Sequence, residues 1–234
     1  MQNQEPAIVF DQERASSHDK KWAKLAPTRE ALHLLIRAIL SDLSADARIL
    51  CVGVGTGPEL IDLAQAFPHW QFTAVEPAAP MLNICRQRAK ACGIASRCTF
   101  HEGYLDSLPV SDSFDAATCL VVSHFLKQEE RRNLFNQIAL RLRPQGYLVS
   151  SDIAYDMAAS AYPDLLEVWL RMMRFAELPE EDIKKIPDTF GRDLSVLPLP
   201  EVALMIASCG FDPPVLFFQS LLINAWYSRR TTLQ

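Results

Sequence analysis

The chain has 234 residues, of which 49% are hydrophobic and 22% are charged, and its formal net charge is −5. This composition fits one globular domain with elaborations and a full apolar core. The acidic balance argues against nucleic acid as a partner, because a broad contact with phosphates needs a basic face.

Three further features favour a cytoplasmic protein. The N-terminus is polar and lacks a secretory signal pattern. The apolar runs stay shorter than the roughly 18 residues that span a bilayer, so we expect no membrane contact. The 6 cysteines have no C-x-x-C spacing and the 5 histidines have no ligand spacing, so the sequence predicts reduced, mostly buried thiols and no metal site.

The first 47 residues are predicted to form a helical cap, because apolar residues recur at helical spacing between Leu32 and Leu43. Residues 48–234 are predicted to form the main domain. Its first part alternates strands and helices, which predicts a parallel sheet with helices on both faces. The predicted strands are 48–52, 70–75, 97–101, 116–121 and 147–153, and the predicted helices are 58–66, 79–92 and 129–142.

The alternation breaks after Asp152. Residues 163–178 are predicted to be helical, and the proline-rich stretch 179–200 is predicted to contain a short helix and mobile loops. We therefore expect a helical lid insertion at about 155–200. A last helix at 200–209 ends at Gly210, and two strands at 215–219 and 221–227 predict an antiparallel hairpin at the sheet edge.

Three alternating glycines follow the first strand, at Gly53, Gly55 and Gly57. Glycine allows a tight turn and a close approach of the backbone to a ligand. Glu76 ends the next strand, where a carboxylate reaches a ribose diol. The glycine loop and Glu76 together therefore favour a nucleoside-bearing ligand. Glycine-rich turns also occur in α/β proteins that bind no ligand. Pro58 stands where a dinucleotide fingerprint has its third glycine, which argues against a dehydrogenase.

Several further segments, in the same order along the chain, resemble class I S-adenosylmethionine-dependent methyltransferases of the small single-domain type. The resemblance implies a Rossmann-like α/β fold with seven strands in the order 3-2-1-4-5-7-6, strand 7 antiparallel. It also implies S-adenosylmethionine as cofactor and S-adenosylhomocysteine as product. The segments are 53–57, 76–82 (Glu-Pro-Ala-Ala-Pro-Met-Leu), 113–117 (Ser-Phe-Asp-Ala-Ala), 140–148 (Leu-Arg-Leu-Arg-Pro-Gln-Gly-Tyr-Leu) and 208–211 (Ser-Cys-Gly-Phe).

Two positions depart from the family pattern. Cys51 stands where members carry an acidic residue that helps to hold the methionine amino group. Tyr104 follows Gly103 where many members have an aspartate on the adenine amine. Residues 10–11 and 217–226 resemble a subgroup that includes the carboxy-S-adenosylmethionine synthases, in which Arg174 would bind the extra carboxylate.

The resemblance and the strand ends together give the candidate site. Tyr104 and Leu105 are expected to flank the adenine, with Met81 opposite. His124, after the fourth strand, is the candidate catalytic base, although a histidine there can instead hydrogen-bond a loop. Tyr155, Trp169 and Arg174 are the candidate acceptor-binding residues, with helix core as the other interpretation of Trp169. The candidate cofactor-binding residues are Gly53, Val54, Gly55, Gly57, Glu76, Pro77, Met81, Tyr104, Leu105, Val121, His18 and Trp22.

Three functions stay open at this stage. The first is a methyltransferase acting on a small-molecule acceptor, which the aromatic residues of the predicted lid favour. The second is a carboxy-S-adenosylmethionine synthase-like enzyme using the same cofactor. The third is a binding protein without catalysis, for which Cys51 and Tyr104 are the available indications. A homodimer is open as well.

Overall fold

A computed structural model describes Ala15 and residues 22–110 and 114–232. In these residues one seven-stranded sheet has the order β3-β2-β1-β4-β5-β7-β6, as predicted. Its first five strands are parallel, and β7 is antiparallel to both β5 and β6. The strands are β1 (Arg48–Val52), β2 (Gln71–Glu76), β3 (Cys98–Glu102), β4 (Phe114–Leu120), β5 (Leu142–Ile153), β6 (Val215–Ser220) and β7 (Ile223–Arg229).

Helices cover both faces of the sheet because successive strand residues point to opposite sides. Ile49 and Cys51 of β1 belong to one apolar cluster, which contains residues of α1, α2 and α3, whereas Leu50 and Val52 belong to a second cluster with residues of α4 and α7. The described helices are α1 (Ala26–Leu40), α2 (Pro58–Ala66), α3 (Ala79–Ala91), α4 (Gln128–Ala139), α5 (Tyr162–Phe175), α6 (Glu180–Thr189) and α7 (Leu199–Ser208).

A third apolar cluster lies between the end of β5 and the segment predicted to be a lid. It contains Ile153 of β5, Trp169 and Met173 of α5, and Ile183 of α6. Trp22 and Leu25, near the start of the described chain, pack against it. The lid segment therefore has a small core of its own, and Trp22 and Leu25 are joined to that core.

The predicted elements are confirmed, with boundaries that differ where hydrogen bonding is non-local. The helix predicted to reach Leu142 ends at Ala139, and β5 begins at Leu142 instead of Tyr147. Leu142 pairs with Phe114, and the buried Arg141 guanidinium donates to the carbonyl of Leu108, 33 positions earlier in the chain. Both contacts join residues that are distant in sequence, so a local pattern does not predict them.

The prediction that the cysteines are mostly buried is confirmed, with two exceptions. Cys92, at the end of α3, is exposed, and Cys98 at the start of β3 is half-buried. No helix in the described ranges is long and apolar enough to cross a membrane.

Candidate functional site

The glycine loop joins β1 to α2 at the carboxyl edge of the sheet. Gly53, Gly55 and Gly57 have φ angles of 65°, 55° and 83°, in the left-handed region that side chains rarely adopt. A Cβ on Gly53 or Gly57 would lie 2.5 Å from Val122 Cγ2 or Cys85 Sγ, respectively. A Cβ on Gly55 would meet nothing closer than Met81 Cε at 3.5 Å. Gly55 is thus the point at which the loop leaves room for a ligand.

The Glu76 carboxylate lies beside Gly55 and is held by backbone donors. Its Oε2 accepts a hydrogen bond from the Gly55 N–H at 3.0 Å, and its Oε1 accepts one from the Ala78 N–H at 2.9 Å. A carboxylate oxygen can accept more than one hydrogen bond. The arrangement fixes an acceptor pair at the end of β2, where the sequence predicted contact with ribose hydroxyls.

The residues predicted to surround the adenine are placed around the ends of β2 and β3. Met81 is buried in the first turns of α3, with its terminal methyl toward Gly55, and Pro77 is exposed. Leu105 is buried in the second apolar cluster, whereas 55% of Tyr104 is exposed. The exposed ring of Tyr104 is therefore available to a ligand, and the predicted adenine pocket stays a prediction.

Val121, the first residue after β4, has an unusual backbone conformation. Its φ angle is 58°, which is strained for a β-branched residue. Hydrogen bonds from its N–H to the carbonyl oxygen and to Oγ of Ser151 hold it there, at 2.7 and 3.1 Å. Strain of this kind concentrates at ligand-binding sites, so the observation supports the predicted role of Val121.

His124 lies in a short 3₁₀ turn after β4, and it is part of a buried polar network. Its Nδ1 is 3.0 Å from Oδ1 of Asp152, and only 1% of its surface is exposed. Asp152 also accepts hydrogen bonds from Ser123 Oγ at 2.6 Å and from Arg131 Nη2 at 3.0 Å. Burial favours the neutral form of Asp152, but the Arg131 charge and the His124 and Ser123 hydrogen bonds outweigh it and lower the pKa. An acceptor cannot reach this ring without displacement of its cover.

Sequence reasoning missed Asp152 and Arg131 as partners of His124. They lie 28 and 7 positions away along the chain, and both are completely buried. The Arg131 guanidinium also donates a hydrogen bond to the Ser195 carbonyl, at 3.2 Å. The Ser195 N–H in turn donates to the carbonyl of His124 at 2.7 Å. The network thereby ties the lid segment to the end of β4. The sequence held one indication of this network: Asp152 is the single charged residue in the predicted strand 147–153.

Glu59 is a second residue that sequence reasoning missed. It lies in the first turn of α2, directly after the loop, and 7% of it is exposed. Burial raises the pKa of its carboxyl to about 8, and the nearby Glu76 charge acts in the same direction. Its carboxylate in turn contributes to the raised pKa of the buried Cys51 thiol. Glu59 thus places an acidic group near Cys51, the position at which the family pattern has an acidic residue and this chain does not.

Of the predicted acceptor residues, Trp169 belongs to the third apolar cluster and Tyr155 packs against it. Tyr155 is half-buried just after β5, with its ring centroid 6.1 Å from that of Tyr162. Trp169 is 6% exposed inside the third cluster, which favours its interpretation as helix core. Trp22 packs against the same cluster, and His18 lies outside the described residues.

Arg174 lies in the last turn of α5, on the surface of the lid. Its Nε donates to Oε1 of Glu180 at 2.9 Å, and 44% of its side chain is exposed. The next residue, Phe175, is exposed. The structure therefore gives Arg174 an acidic partner at the surface and does not bring it to the glycine loop.

Comparison with known proteins gives a consistent picture. Residues 49–146 match the family described as "Methyltransferase domain". A carboxy-S-adenosyl-L-methionine synthase from Campylobacter jejuni is 28% identical over 164 residues, which cover 67% of this chain and 66% of that protein. Among the first curated relatives, the chain spans from 24% to 52% of their own length.

Solved structures share the fold at low sequence identity. A putative O-methyltransferase from Nostoc punctiforme superposes with a TM-score of 0.67 at 16% identity, covering 94% of this chain and 60% of that one. An O-methyltransferase family 2 protein from Planctomyces limnophilus, in complex with apigenin, gives a TM-score of 0.60 at 18% identity, covering 89% and 62%. At these identities the likeness concerns the fold.

Proposed function

We propose that this chain is a class I S-adenosylmethionine-dependent methyltransferase that transfers a methyl group from S-adenosylmethionine to a small-molecule acceptor. One observation carries the proposal: the Glu76 carboxylate is fixed beside Gly55 by two backbone N–H groups. This geometry suits the two hydroxyls of a ribose, with the rest of the nucleoside toward Met81 and Tyr104 and the methionine tail along the loop.

Methyl transfer from a sulfonium is an in-line displacement, so the main task of the protein is to hold donor and acceptor in line. Val121 lies at the end of β4, next to Val122, which packs beside Gly53, and Val121 would set the position of the reacting groups. The burial of His124 on Asp152 supports a role in holding this turn more than a role as general base. An acceptor with an acidic hydroxyl or an amine needs no such base.

The surface around the ends of β4 and β5 supports an acceptor with apolar character. Val121, Phe125 and Met157 all expose apolar side chains, and Tyr155 is half-buried beside them in the chain. Apolar and aromatic lining with few polar groups is typical of sites for small organic ligands. The net charge of −5 supports the same choice over an anionic polymer.

A carboxy-S-adenosylmethionine synthase-like activity is the second candidate, because the relative from Campylobacter jejuni covers two thirds of both chains. The position of Arg174 argues against it. A guanidinium paired with Glu180 on the lid surface is not placed to bind a carboxylate on the cofactor. Mass spectrometry of nucleosides that co-purify with the protein separates the two, since the altered cofactor is heavier by one carboxyl group.

Calorimetry with S-adenosylmethionine tests the proposal. Glu76→Ala should weaken binding by roughly 1.5–3 kcal/mol, or about 10- to 150-fold, because two charge-assisted hydrogen bonds are lost. Glu102→Ala is the matched control, since Glu102 is the register partner of Glu76 on β3 and is exposed. Equal affinities of the parent and the Glu76→Ala variant would refute the assignment.

A further inference from the structure

The short loop after β3 contains two linked hydrogen bonds that end on Tyr104. His101 Nε2 lies 2.7 Å from Ser107 Oγ, and the Ser107 hydroxyl donates to the carbonyl oxygen of Tyr104 at 2.7 Å. A hydroxyl carries one proton, and the carbonyl can only accept, so the Ser107 proton lies on the Tyr104 side. His101 must therefore donate to Ser107 from its Nε2. A neutral ring protonated at Nε2 and a charged ring both meet this requirement.

Gly103 leaves the space in which the histidine and the serine meet. A Cβ at this position would lie 2.7 Å from Ser107 Oγ and 3.3 Å from His101 Nε2. A side chain there would therefore displace the hydroxyl or the ring. The Gly103 N–H also donates to the carbonyl oxygen of Glu76 at 3.1 Å. Gly103 thus joins the loop to the residue that we propose binds the ribose.

The backbone of Tyr104 is held on both sides. After it, Leu105 is buried in the second apolar cluster, and the Ser107 N–H donates to the Tyr104 carbonyl at 3.1 Å. That carbonyl therefore accepts two hydrogen bonds from Ser107, one from its backbone and one from its hydroxyl. Before it, Gly103 is bound to Glu76. Because the backbone is held, the exposed ring of Tyr104 can lie only in the few directions that its rotamers allow.

We propose that His101 and Ser107 are positioning residues for the base of the donor, and that they act through Tyr104 without touching the ligand. The inference rests on the proposed function, in which the nucleoside lies toward Met81 and Tyr104. An aromatic ring stabilises a base by stacking, and this contact depends on the distance and offset between the two rings. Position 104 carries a ring where many members of the family have an aspartate. The contact with the base therefore depends on where the loop holds that ring.

A double-mutant cycle on the binding of S-adenosylhomocysteine, measured by calorimetry, tests the inference. Ser107→Ala should weaken binding about 3- to 10-fold, because the loop loses one hydrogen bond. Tyr104→Ala should weaken it about tenfold or more, because the stacking contact is lost. If Ser107 acts through the ring, the double variant should bind no more weakly than Tyr104→Ala alone. Both side chains are exposed, so we expect all three variants to fold.

Conservative variants and a matched control make the test specific. Ser107→Thr keeps the hydroxyl and should recover most of the affinity that Ser107→Ala loses. His101→Gln keeps an N–H donor, so it should lose less affinity than His101→Leu. Ser96→Ala is the control, because Ser96 is an exposed serine just before the start of β3, at the opposite end of the same strand. This variant should bind as the parent does.

The outcomes separate this inference from the proposed function. If Ser107→Ala binds as the parent does, or if the losses of the two single variants multiply in the double variant, the inference is wrong. The proposed function then stands as long as binding still depends on Glu76. Full affinity of Tyr104→Ala beside a weakened Glu76→Ala would also overturn the inference alone, because the ring would then not contact the base. A parent protein that does not bind S-adenosylhomocysteine would overturn both.

Discussion

The three glycines of the loop share a backbone conformation, but Gly55 differs from Gly53 and Gly57 in what surrounds it. All three have positive φ angles, so any side chain costs about 1–2 kcal/mol at each position. At Gly57 the added Cβ would also overlap Cys85 Sγ, whereas at Gly55 it fits. At Gly57, both the backbone angle and the packing therefore exclude larger residues. At Gly55, the backbone angle and the expected approach of a ligand exclude them.

Gly55→Ala and Gly57→Ala should thus separate binding from folding. We expect Gly55→Ala to lose about 1–2 kcal/mol of unfolding free energy and most of its affinity for S-adenosylmethionine. Gly57→Ala should lose about 2–5 kcal/mol, because strain and overpacking add. Urea unfolding and calorimetry on both variants give the two quantities. Unchanged affinity of a folded Gly55→Ala protein would mean that the ligand does not approach the loop there.

At the scale of elements, the turn after β4 is held to β5 by the buried network around Asp152. The aspartate satisfies Ser123, His124 and Arg131 together, and Arg131 in turn contacts Ser195 beside the lid core. Its pKa lies below the ordinary value, so ionised Asp152 stabilises the fold above about pH 4. This contribution is lost as the pH falls through the folded-state pKa.

Asp152→Asn should therefore lower the unfolding free energy at pH 7 by about 3–5 kcal/mol, because the Arg131 guanidinium is left buried without a counter-charge. Arg131→Met in the same chain should recover part of the loss, since it removes that charge. Asp156→Asn, at an exposed position three residues after β5, is the control and should change the free energy by less than about 0.5 kcal/mol. An Asp152→Asn variant as stable as the parent would show that the network carries little of the fold's stability.

At the scale of the whole molecule, local sequence patterns predicted the sheet and the position of the glycine loop and Glu76 at its carboxyl edge. The alternation of apolar strands and amphipathic helices gave the parallel sheet, and the glycines with Glu76 marked its carboxyl edge. The partners of His124 and the charge state of Glu59 depend on contacts between residues that are distant in sequence, so no local pattern contains them. Arg174 and Trp169 show the same limit, because helical spacing alone does not say which face of α5 meets the cleft.

The acceptor belongs to this scale as well, because we expect its site to involve both the carboxyl edge of the sheet and the lid segment. Tyr155 follows β5 at the carboxyl edge of the sheet and is half-buried, whereas 83% of Phe175 is exposed on the lid segment. We expect donor with a labelled methyl group to transfer label to a small-metabolite extract and not to total RNA. Tyr155→Ala should reduce the transfer several-fold without changing the affinity for the donor, and Phe175→Ala should leave both unchanged. Label that appears only in RNA would contradict the small-molecule acceptor, and the absence of transfer to either would favour the carboxy-S-adenosylmethionine synthase-like or the non-catalytic alternative.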